Sequence, residues 1–84
     1  SAKVLVAEDN NVNQLFLVKL LTKYGFKNID TAEDGLHTLN AFNKKPYDII
    51  FMDCQMPELD GYEATRRIRM IERADKRAKR VLIV

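Results

Sequence analysis

The stretch IIFMDCQMPELDG, residues 49–61, joins an apolar run to an aspartate, and a proline and a glycine follow soon after. The run belongs to a predicted strand at 47–53. It lacks the polar alternation of a half-exposed strand, so it indicates a strand buried on both faces. Asp53 stands at the carboxyl end of this strand, where parallel sheets bind their ligands. One stretch therefore predicts a fold class and the place of a site.

Outward from this strand, the chain alternates strands and helices with short links. Apolar runs predict three more strands, at about 3–7, 28–32 and 80–84. Helical spacing of apolar residues predicts three helices, at about 11–24, 35–44 and 60–76. Right-handed crossovers between such units give a parallel sheet with helices on both faces. The predicted fold class is a three-layer α/β/α domain.

Local signals mark the ends of two of these helices. Asn10 or Asn11 can cap the first helix, and Gly25 suits a left-handed position at its end. Asp60, followed three residues later by Glu63, resembles a capping box for the third helix. The first helix is expected to carry an apolar face made of Val12, Leu15, Phe16, Leu20 and Tyr24. The third is expected to carry one made of Ala64, Ile68 and Ile71.

Composition limits the classes of function. The 84 residues are 46% hydrophobic and 31% charged, as expected for one small soluble domain. A net charge of +2 gives no general case for nucleic acid. The single cysteine, Cys54, excludes an internal disulfide and fits a cytoplasmic location. No apolar stretch is long enough to span a bilayer and no secretory signal pattern is present, so we expect neither nucleic-acid nor membrane contact by this domain.

Basic residues gather late, in RRIRMIERADKRAKR at 66–80, but acids interrupt them. Three pairs have the i, i+4 spacing that supports an exposed helix: Glu63/Arg67, Glu72/Lys76 and Asp75/Lys79. We interpret this segment as the solvated face of the third helix.

Acidic residues end two predicted strands: Glu8 and Asp9 the first, Asp53 the third. If these strands are neighbours, three carboxylates converge, and such clustering is unfavourable unless a cation lies between them. Ligands that are all oxygen indicate a hard ion, with Mg²⁺ the first candidate. Asp53 could then act as a nucleophile toward a phosphoryl donor. Each acid taken singly could instead cap a loop or helix.

Other polar residues are interpreted structurally. Asp60 is predicted to be a helix cap rather than a metal ligand. His37 is interpreted as a surface histidine without an acidic partner in register, and Cys54 as a small buried apolar residue. The chain contains neither GxGxxG nor GxxxxGK[ST], which removes the usual dinucleotide and nucleoside-triphosphate cradles.

Three motifs together resemble the receiver domain of two-component response regulators: VLVAEDNNVNQ (4–14), YDIIFMDCQMPELDGYEATRRIR (47–69) and RVLIV (80–84). The wording MDCQMPELDGYEATRRIR is most similar to receivers attached to hybrid histidine kinases. The resemblance covers essentially the whole chain in register. It implies a flavodoxin-like parallel sheet of order 2-1-3-4-5.

The resemblance also implies roles for particular residues. Asp53 would take a phosphoryl group from a phosphohistidine on a histidine kinase or a histidine phosphotransfer domain. Asp9, Asp53 and the backbone carbonyl of Gln55 would hold Mg²⁺, and Glu8 would help through water. Gln55 would also influence how long the phosphoryl group survives.

Other family features concern the loop and the C-terminal part. Pro57 and Gly61 would shape the loop beside the site. The family places a Ser or Thr after the fourth strand and a Lys after the fifth, and both contact the phosphoryl group. The sequence stops at Val84, so we expect a truncated receiver without the fourth helix, fifth strand and fifth helix. Residues 80–84 would then be an apolar edge prone to self-association or element exchange.

The leading interpretation is a signalling phosphoacceptor rather than an enzyme, in which the parent protein could be a hybrid histidine kinase. A phosphorylation-incompetent fragment that self-associates through its fourth strand remains open. An aspartate-nucleophile phosphatase is disfavoured because Gln55 stands where an Asp-x-Asp pair needs its second acid. A flavin-binding domain is disfavoured because a hydroxyl-rich phosphate loop is missing.

Overall fold

The computed structural model describes residues 2–56, 58–75 and 80–84. In chain order its elements are β1 (Lys3–Ala7), α1 (Asn11–Lys23), β2 (Asn28–Ala32), α2 (Gly35–Lys44), β3 (Ile49–Met52), α3 (Gly61–Ala74) and β4 (Leu82–Ile83). The four strands form one sheet of order β2-β1-β3-β4, and every pair is parallel. The flavodoxin-like order expected from the resemblance is confirmed for the strands present.

Strand β1 lies at the centre because it is apolar on both sides. Val4, Leu5, Val6 and Ala7 are all buried. Alternate residues point to opposite faces of the sheet. Leu5 and Ala7 therefore join the apolar cluster that holds side chains of α2 and α3, while Val4 and Val6 pack with Leu21 of α1. Helices cover both faces, which confirms the three layers.

The register brings the ends of β1 and β3 together. Ala7 pairs with Met52 across the two strands, and the Asp53 N–H donates to the Ala7 carbonyl at 2.9 Å. The residues that follow Ala7 and Met52 consequently leave the sheet side by side. This alignment gives the strand-end acids a common location.

Element bounds differ slightly from expectation. β3 covers Ile49–Met52 rather than 47–53, and β4 covers only Leu82–Ile83 rather than 80–84. Both strands are shorter because regular ladder pairing is limited to the residues that face a partner strand. α1 ends at Lys23, and Gly25 follows with φ of +97°, as expected for a left-handed position. α3 ends at Ala74, and the expected end at residue 76 lies outside the described residues.

The apolar face predicted for α1 lies mostly in solvent. Val12, Leu15, Phe16 and Tyr24 are exposed, and Leu20 is half-buried. The side chains that pack on the sheet are Leu17, Val18 and Leu21. α1 carries apolar residues around most of its circumference, so the 3.6-residue period does not decide which side is buried. The expected inner face of α3 is confirmed, since Ala64 and Ile68 are buried and Ile71 packs against the same cluster.

Candidate functional site

Three carboxylates meet where β1 and β3 end. Glu8 and Asp9 follow β1, Asp53 follows β3, and one oxygen from each lies within 4.8 Å of the others. Glu8 and Asp53 are half-buried and Asp9 is exposed. The structure thus brings together the three acids that the sequence places at strand ends.

The electrostatics of this cluster are unfavourable for the chain alone. Burial raises the pKa of the Glu8 carboxyl, and the neighbouring Asp9 and Asp53 raise it further. The Asn10 N–H, which donates to Glu8 Oε2 at 3.1 Å, offsets part of this rise. Hard divalent cations prefer oxygen ligands, and a group of neighbouring carboxylates such as this one provides them. The residues therefore fit a Mg²⁺ ion.

Backbone hydrogen bonds hold the cluster in place. The Glu8 N–H donates to the Ala32 carbonyl at 3.0 Å, so the residue after β1 is still tied to β2. The Gln14 side chain donates from Nε2 to the Glu8 carbonyl at 3.1 Å. On the other side, the Gln55 N–H donates to Asp53 Oδ1 at 3.1 Å. Two of the three acids are thereby oriented before any ligand binds.

The start of α3 packs directly against the Asp53 backbone. A Cβ added to Gly61 would lie 2.2 Å from the Asp53 carbonyl oxygen, far inside contact distance. The Gly61 N–H also donates to the Cys54 carbonyl at 3.2 Å. Only a glycine allows this close approach, so Gly61 does shape the surroundings of the site. The expected partner in that role, Pro57, lies outside the described residues.

The Asp60 carboxylate caps α3, as predicted: its Oδ1 accepts the Glu63 N–H at 2.9 Å. Glu63 instead pairs with Arg66 and Arg67, at 2.6 and 3.0 Å. The Glu63/Arg67 pair is therefore confirmed. Lys76 and Lys79, the partners in the other two predicted pairs, lie outside the described residues.

One sequence interpretation near the site was wrong. Cys54 is exposed rather than buried, because it stands in the turn after β3 and not within the strand. Gln55 is also exposed, and its carbonyl remains a predicted ligand.

A second acidic cluster surrounds His37, contrary to the expectation that this histidine has no acidic partner. Nδ1 of His37 lies 2.8 Å from Asp34 Oδ1, and Nε2 lies 3.5 Å from Glu33 Oε1. The hydrogen bond that the Asp34 carboxylate accepts from the ring raises the pKa of His37. Asp34 also caps α2 by accepting the His37 N–H at 2.8 Å. His37 is an exposed residue, as expected, with a cap-stabilising contact.

The apolar residues on the first two turns of α1 form an exposed surface. Val12, Leu15 and Phe16 are 76%, 55% and 64% exposed. They lie on the helix that begins two residues after Asp9. No signal separates these residues from the buried side of α1, since both sides are apolar.

The parallel order β2-β1-β3-β4 with an acidic pocket at the strand ends defines a flavodoxin-like domain with a candidate metal site. The sequence profile of the response regulator receiver domain matches residues 4–84. The chain belongs to the receiver-domain family of response regulators.

Similar proteins include histidine kinases. Histidine kinase 3 of Arabidopsis thaliana is 48% identical over 80 residues, which are 92% of this chain and 8% of the kinase. Hybrid signal transduction histidine kinase B of Dictyostelium discoideum is 45% identical over 73 residues, which are 87% of this chain and 4% of the kinase. The chain thus spans a small part of these relatives.

Solved structures share the fold closely. The receiver domain of the histidine kinase CKI1 from Arabidopsis thaliana, solved in complex with Mg²⁺ and BeF₃⁻, superposes with a TM-score of 0.90 at 35% identity. The match covers 98% of this chain and 62% of that one. The Saccharomyces cerevisiae receiver domain of Ssk1, solved with the histidine phosphotransfer protein Ypd1, gives 0.88 at 34% identity, covering 99% and 61%.

Among the residues that the structure describes, no helix has both the length and the apolar character that crossing a bilayer requires.

Proposed function

We propose that this chain is a phosphoacceptor domain of a two-component phosphorelay, in which Asp53 accepts a phosphoryl group from a phosphohistidine. The observation that carries the proposal is the convergence of Glu8, Asp9 and Asp53 within 4.8 Å at the end of buried strands, in a chain of the receiver family. The domain is a signalling phosphoacceptor that assists its own phosphoryl transfer, not a conventional enzyme.

The geometry assigns the reacting atom. Oδ1 of Asp53 accepts the Gln55 N–H, so we assign the attack on phosphorus to Oδ2. A phosphorus–oxygen bond forms as the donor's phosphorus–nitrogen bond breaks, and the leaving imidazole keeps the electron pair of that bond and takes a proton from water. The 2.9 Å hydrogen bond from the Asp53 N–H to the Ala7 carbonyl keeps the Asp53 backbone at a fixed position during transfer.

Three groups would hold Mg²⁺ directly: the carboxylates of Asp9 and Asp53 and the backbone carbonyl of Gln55. Glu8 would contribute through a water molecule. When bound, this ion neutralises carboxylate and phosphoryl oxygens at the same time. Support comes from the raised pKa of Glu8, caused first by burial and then by its acidic neighbours, and from the Mg²⁺ in the related receiver structures.

The donor is a histidine kinase or a histidine phosphotransfer domain. The exposed Val12, Leu15 and Phe16 offer such a partner apolar contact area beside Asp53, and a related yeast receiver was solved with a phosphotransfer protein. Histidine kinases make phosphohistidine from ATP, so the proposal places this domain in the cytoplasm, in contact with proteins rather than with nucleic acid or membrane.

Docking on α1 can be tested by substitution. Phe16→Glu should slow transfer from a phosphohistidine protein roughly tenfold, as for an interface anchor. It should leave phosphorylation by acetyl phosphate unchanged. Tyr24→Glu makes the same kind of change on an exposed residue at the far end of α1 and serves as the matched control. Equal effects of the two substitutions would contradict docking at this surface.

Phosphoryl acceptance itself is tested with a small donor. Acetyl phosphate with Mg²⁺ should add one phosphoryl group to the wild-type chain, seen by intact mass, and none to Asp53→Asn. Beryllofluoride with Mg²⁺ should shift the amide resonances of Glu8, Asp9 and Asp53. Labelling of Asp53→Asn at the wild-type level would exclude Asp53 as the acceptor.

A phosphorylation-incompetent fragment that self-associates is the second candidate. β4 is the last strand in the sheet order, and Leu82 and Val84 are 58% and 63% exposed. Such an apolar edge favours pairing with a second copy. Light scattering should then show a concentration-dependent dimer that Leu82→Lys weakens, together with no response to phosphodonors. A monomer at all concentrations excludes this candidate.

A further inference from the structure

A partly buried ion pair, between the half-buried Arg69 and the buried Glu72, joins α3 to the start of β4. Glu72 is only 5% exposed, whereas the sequence predicted that the charged residues of 66–80 face solvent. Its Oε2 accepts the Val81 N–H at 2.7 Å and its Oε1 accepts from Arg69 Nη1 at 2.8 Å. The same Arg69 nitrogen donates to the Val81 carbonyl at 2.9 Å. Both backbone polar groups of Val81 are therefore held by side chains of α3.

Val81 is the residue immediately before β4. Its side chain is buried in the cluster that α2 and α3 cover. Its successor Leu82 is the first to bond to the neighbouring strand, through an N–H that donates to the Asp48 carbonyl at 3.0 Å. The side chains of Arg69 and Glu72 thus hold the backbone one residue before sheet pairing takes over.

β4 in turn contacts the strand that carries Asp53. The Val84 N–H donates to the Ile50 carbonyl at 2.9 Å, and the Met52 N–H donates to the Val84 carbonyl at 2.9 Å. Met52 immediately precedes Asp53. The end of β3 is therefore held by β1 on one side and by β4 on the other.

Stability alone does not account for this arrangement. Burying a charged pair costs desolvation energy, and apolar residues of similar size often stabilise a fold as well or better. The attested advantage of buried polar pairs is that they select one register. β4 has only two residues in the sheet, so its own ladder supplies few hydrogen bonds to fix the register.

We propose that Arg69 and Glu72 form a clamp that sets the register of β4 and, through Met52, positions Asp53. We call this pair the α3–β4 clamp. Both are positioning residues and neither touches the phosphoryl group. The register part stands on the geometry alone, whereas the effect on Asp53 chemistry rests on the proposed phosphoacceptor function.

Amide hydrogen exchange followed by NMR tests the register part. In Glu72→Leu, the amides of Leu82, Val84 and Met52 should exchange roughly tenfold faster than in the wild type, as expected when a local unit opens. The Glu8 amide, bonded to β2, should keep its wild-type rate. Glu63→Leu makes the same change at a half-buried position of α3 whose ion-pair partners, Arg66 and Arg67, lie on α3 itself, and it should leave all four rates unchanged.

A double variant separates register from stability. Arg69→Met with Glu72→Leu leaves no unpaired buried charge, so its midpoint in urea should return toward the wild-type value. The clamp predicts that the β4 amides nevertheless remain fast to exchange. Recovery of both the midpoint and the exchange rates would overturn the proposal. If Glu72→Leu alone does not fold, Glu72→Gln and the double variant decide the question.

The effect on the site is read from Mg²⁺ titration and labelling by acetyl phosphate. The folded double variant should bind Mg²⁺ several-fold more weakly and accept phosphate more slowly than the wild type, while Glu63→Leu should match the wild type. Unchanged Mg²⁺ affinity with fast β4 exchange would overturn the link to Asp53. Asp53→Asn, which should lose labelling while keeping slow β4 exchange, shows that failure of the phosphoacceptor function and failure of the clamp are different results.

Discussion

Two glutamates of this chain sit in opposite electrostatic surroundings. Glu8 lies among carboxylates, and burial together with those neighbours raises its pKa. Burial also raises the pKa of Glu72, but the bonds from Arg69 and Val81 N–H outweigh it, so the net pKa is lowered. Glu72 has its partners within the described part of the fold, whereas the proposed partner of Glu8 is a Mg²⁺ ion. The contrast separates an acid held by the fold from one that we propose serves a ligand.

The largest expected effect concerns Asp53, the proposed nucleophile of the acidic cluster. Asp53→Asn should abolish labelling by phosphodonors, because the amide has no carboxylate oxygen to attack phosphorus. It should not destabilise the Mg²⁺-free fold, since it removes one of three like charges. Intact mass and urea unfolding measure the two effects. A large loss of stability would show that Asp53 is structural, as Glu72 is.

The next effect concerns Glu72, whose carboxylate has hydrogen-bond partners within the fold. Glu72→Ala should lower the free energy of unfolding by about 3 kcal/mol, because it leaves Arg69 and the Val81 N–H without their partner in a buried place. Urea unfolding followed by circular dichroism measures this difference. Glu63→Ala, which breaks exposed pairs with Arg66 and Arg67, should change stability far less. Similar losses for the two variants would mean that the burial of Glu72 carries no special weight.

These contrasts also show what the sequence could predict. The strand order was implied by the family resemblance. Given that β1 and β3 are neighbours, the meeting of Glu8, Asp9 and Asp53 followed from apolar runs that end in acids, because parallel strands align their carboxyl ends. The role of Glu72 did not follow, since its partner is a backbone amide nine residues later whose approach depends on how β4 docks. Spacing along α3 indicated only an exposed charge.

Two further discrepancies have local causes. The buried side of α1 could not be chosen because Phe16 and Leu17, next to each other, are equally apolar while only Leu17 packs on the sheet. The contact between His37 and Asp34 has ordinary i, i+3 spacing and was visible in the sequence. Asp34 lies outside the helix as its N-cap, so helical periodicity alone does not mark this pair.

A smaller effect should change sign with metal. Without Mg²⁺, Glu8→Gln should raise the free energy of unfolding by about 0.5 kcal/mol, the scale of a partly exposed charge interaction. With saturating Mg²⁺ the order should reverse, because the wild type binds the ion more tightly and gains more from it. Thermal melts with EDTA and with Mg²⁺ measure both states. If the wild type is more stable than Glu8→Gln both with and without Mg²⁺, the three carboxylates do not repel one another in the metal-free fold.

The smallest effect is a pH dependence. The folded pKa of Glu72 is lowered, so its contribution to stability is complete above the usual value of 4.5 and is lost as the pH falls through the folded pKa. Asp30, Asp34 and Glu63 also have lowered pKa values, so the wild-type curve alone does not isolate Glu72. The difference in unfolding free energy between the wild type and Glu72→Gln isolates it.

This difference should be constant near neutral pH and shrink once the pH falls below about 4.5, because a protonated glutamate and a glutamine then present similar neutral groups to Arg69. Urea unfolding at a series of pH values measures it. The same comparison for Glu63→Gln should give its own decline at lower pH, since the hydrogen bonds from Arg66 and Arg67 lower the Glu63 pKa to about 2. A difference for Glu72 that stays constant through this range would mean that its carboxylate is not charged in the fold, and the contrast with Glu8 would then fail.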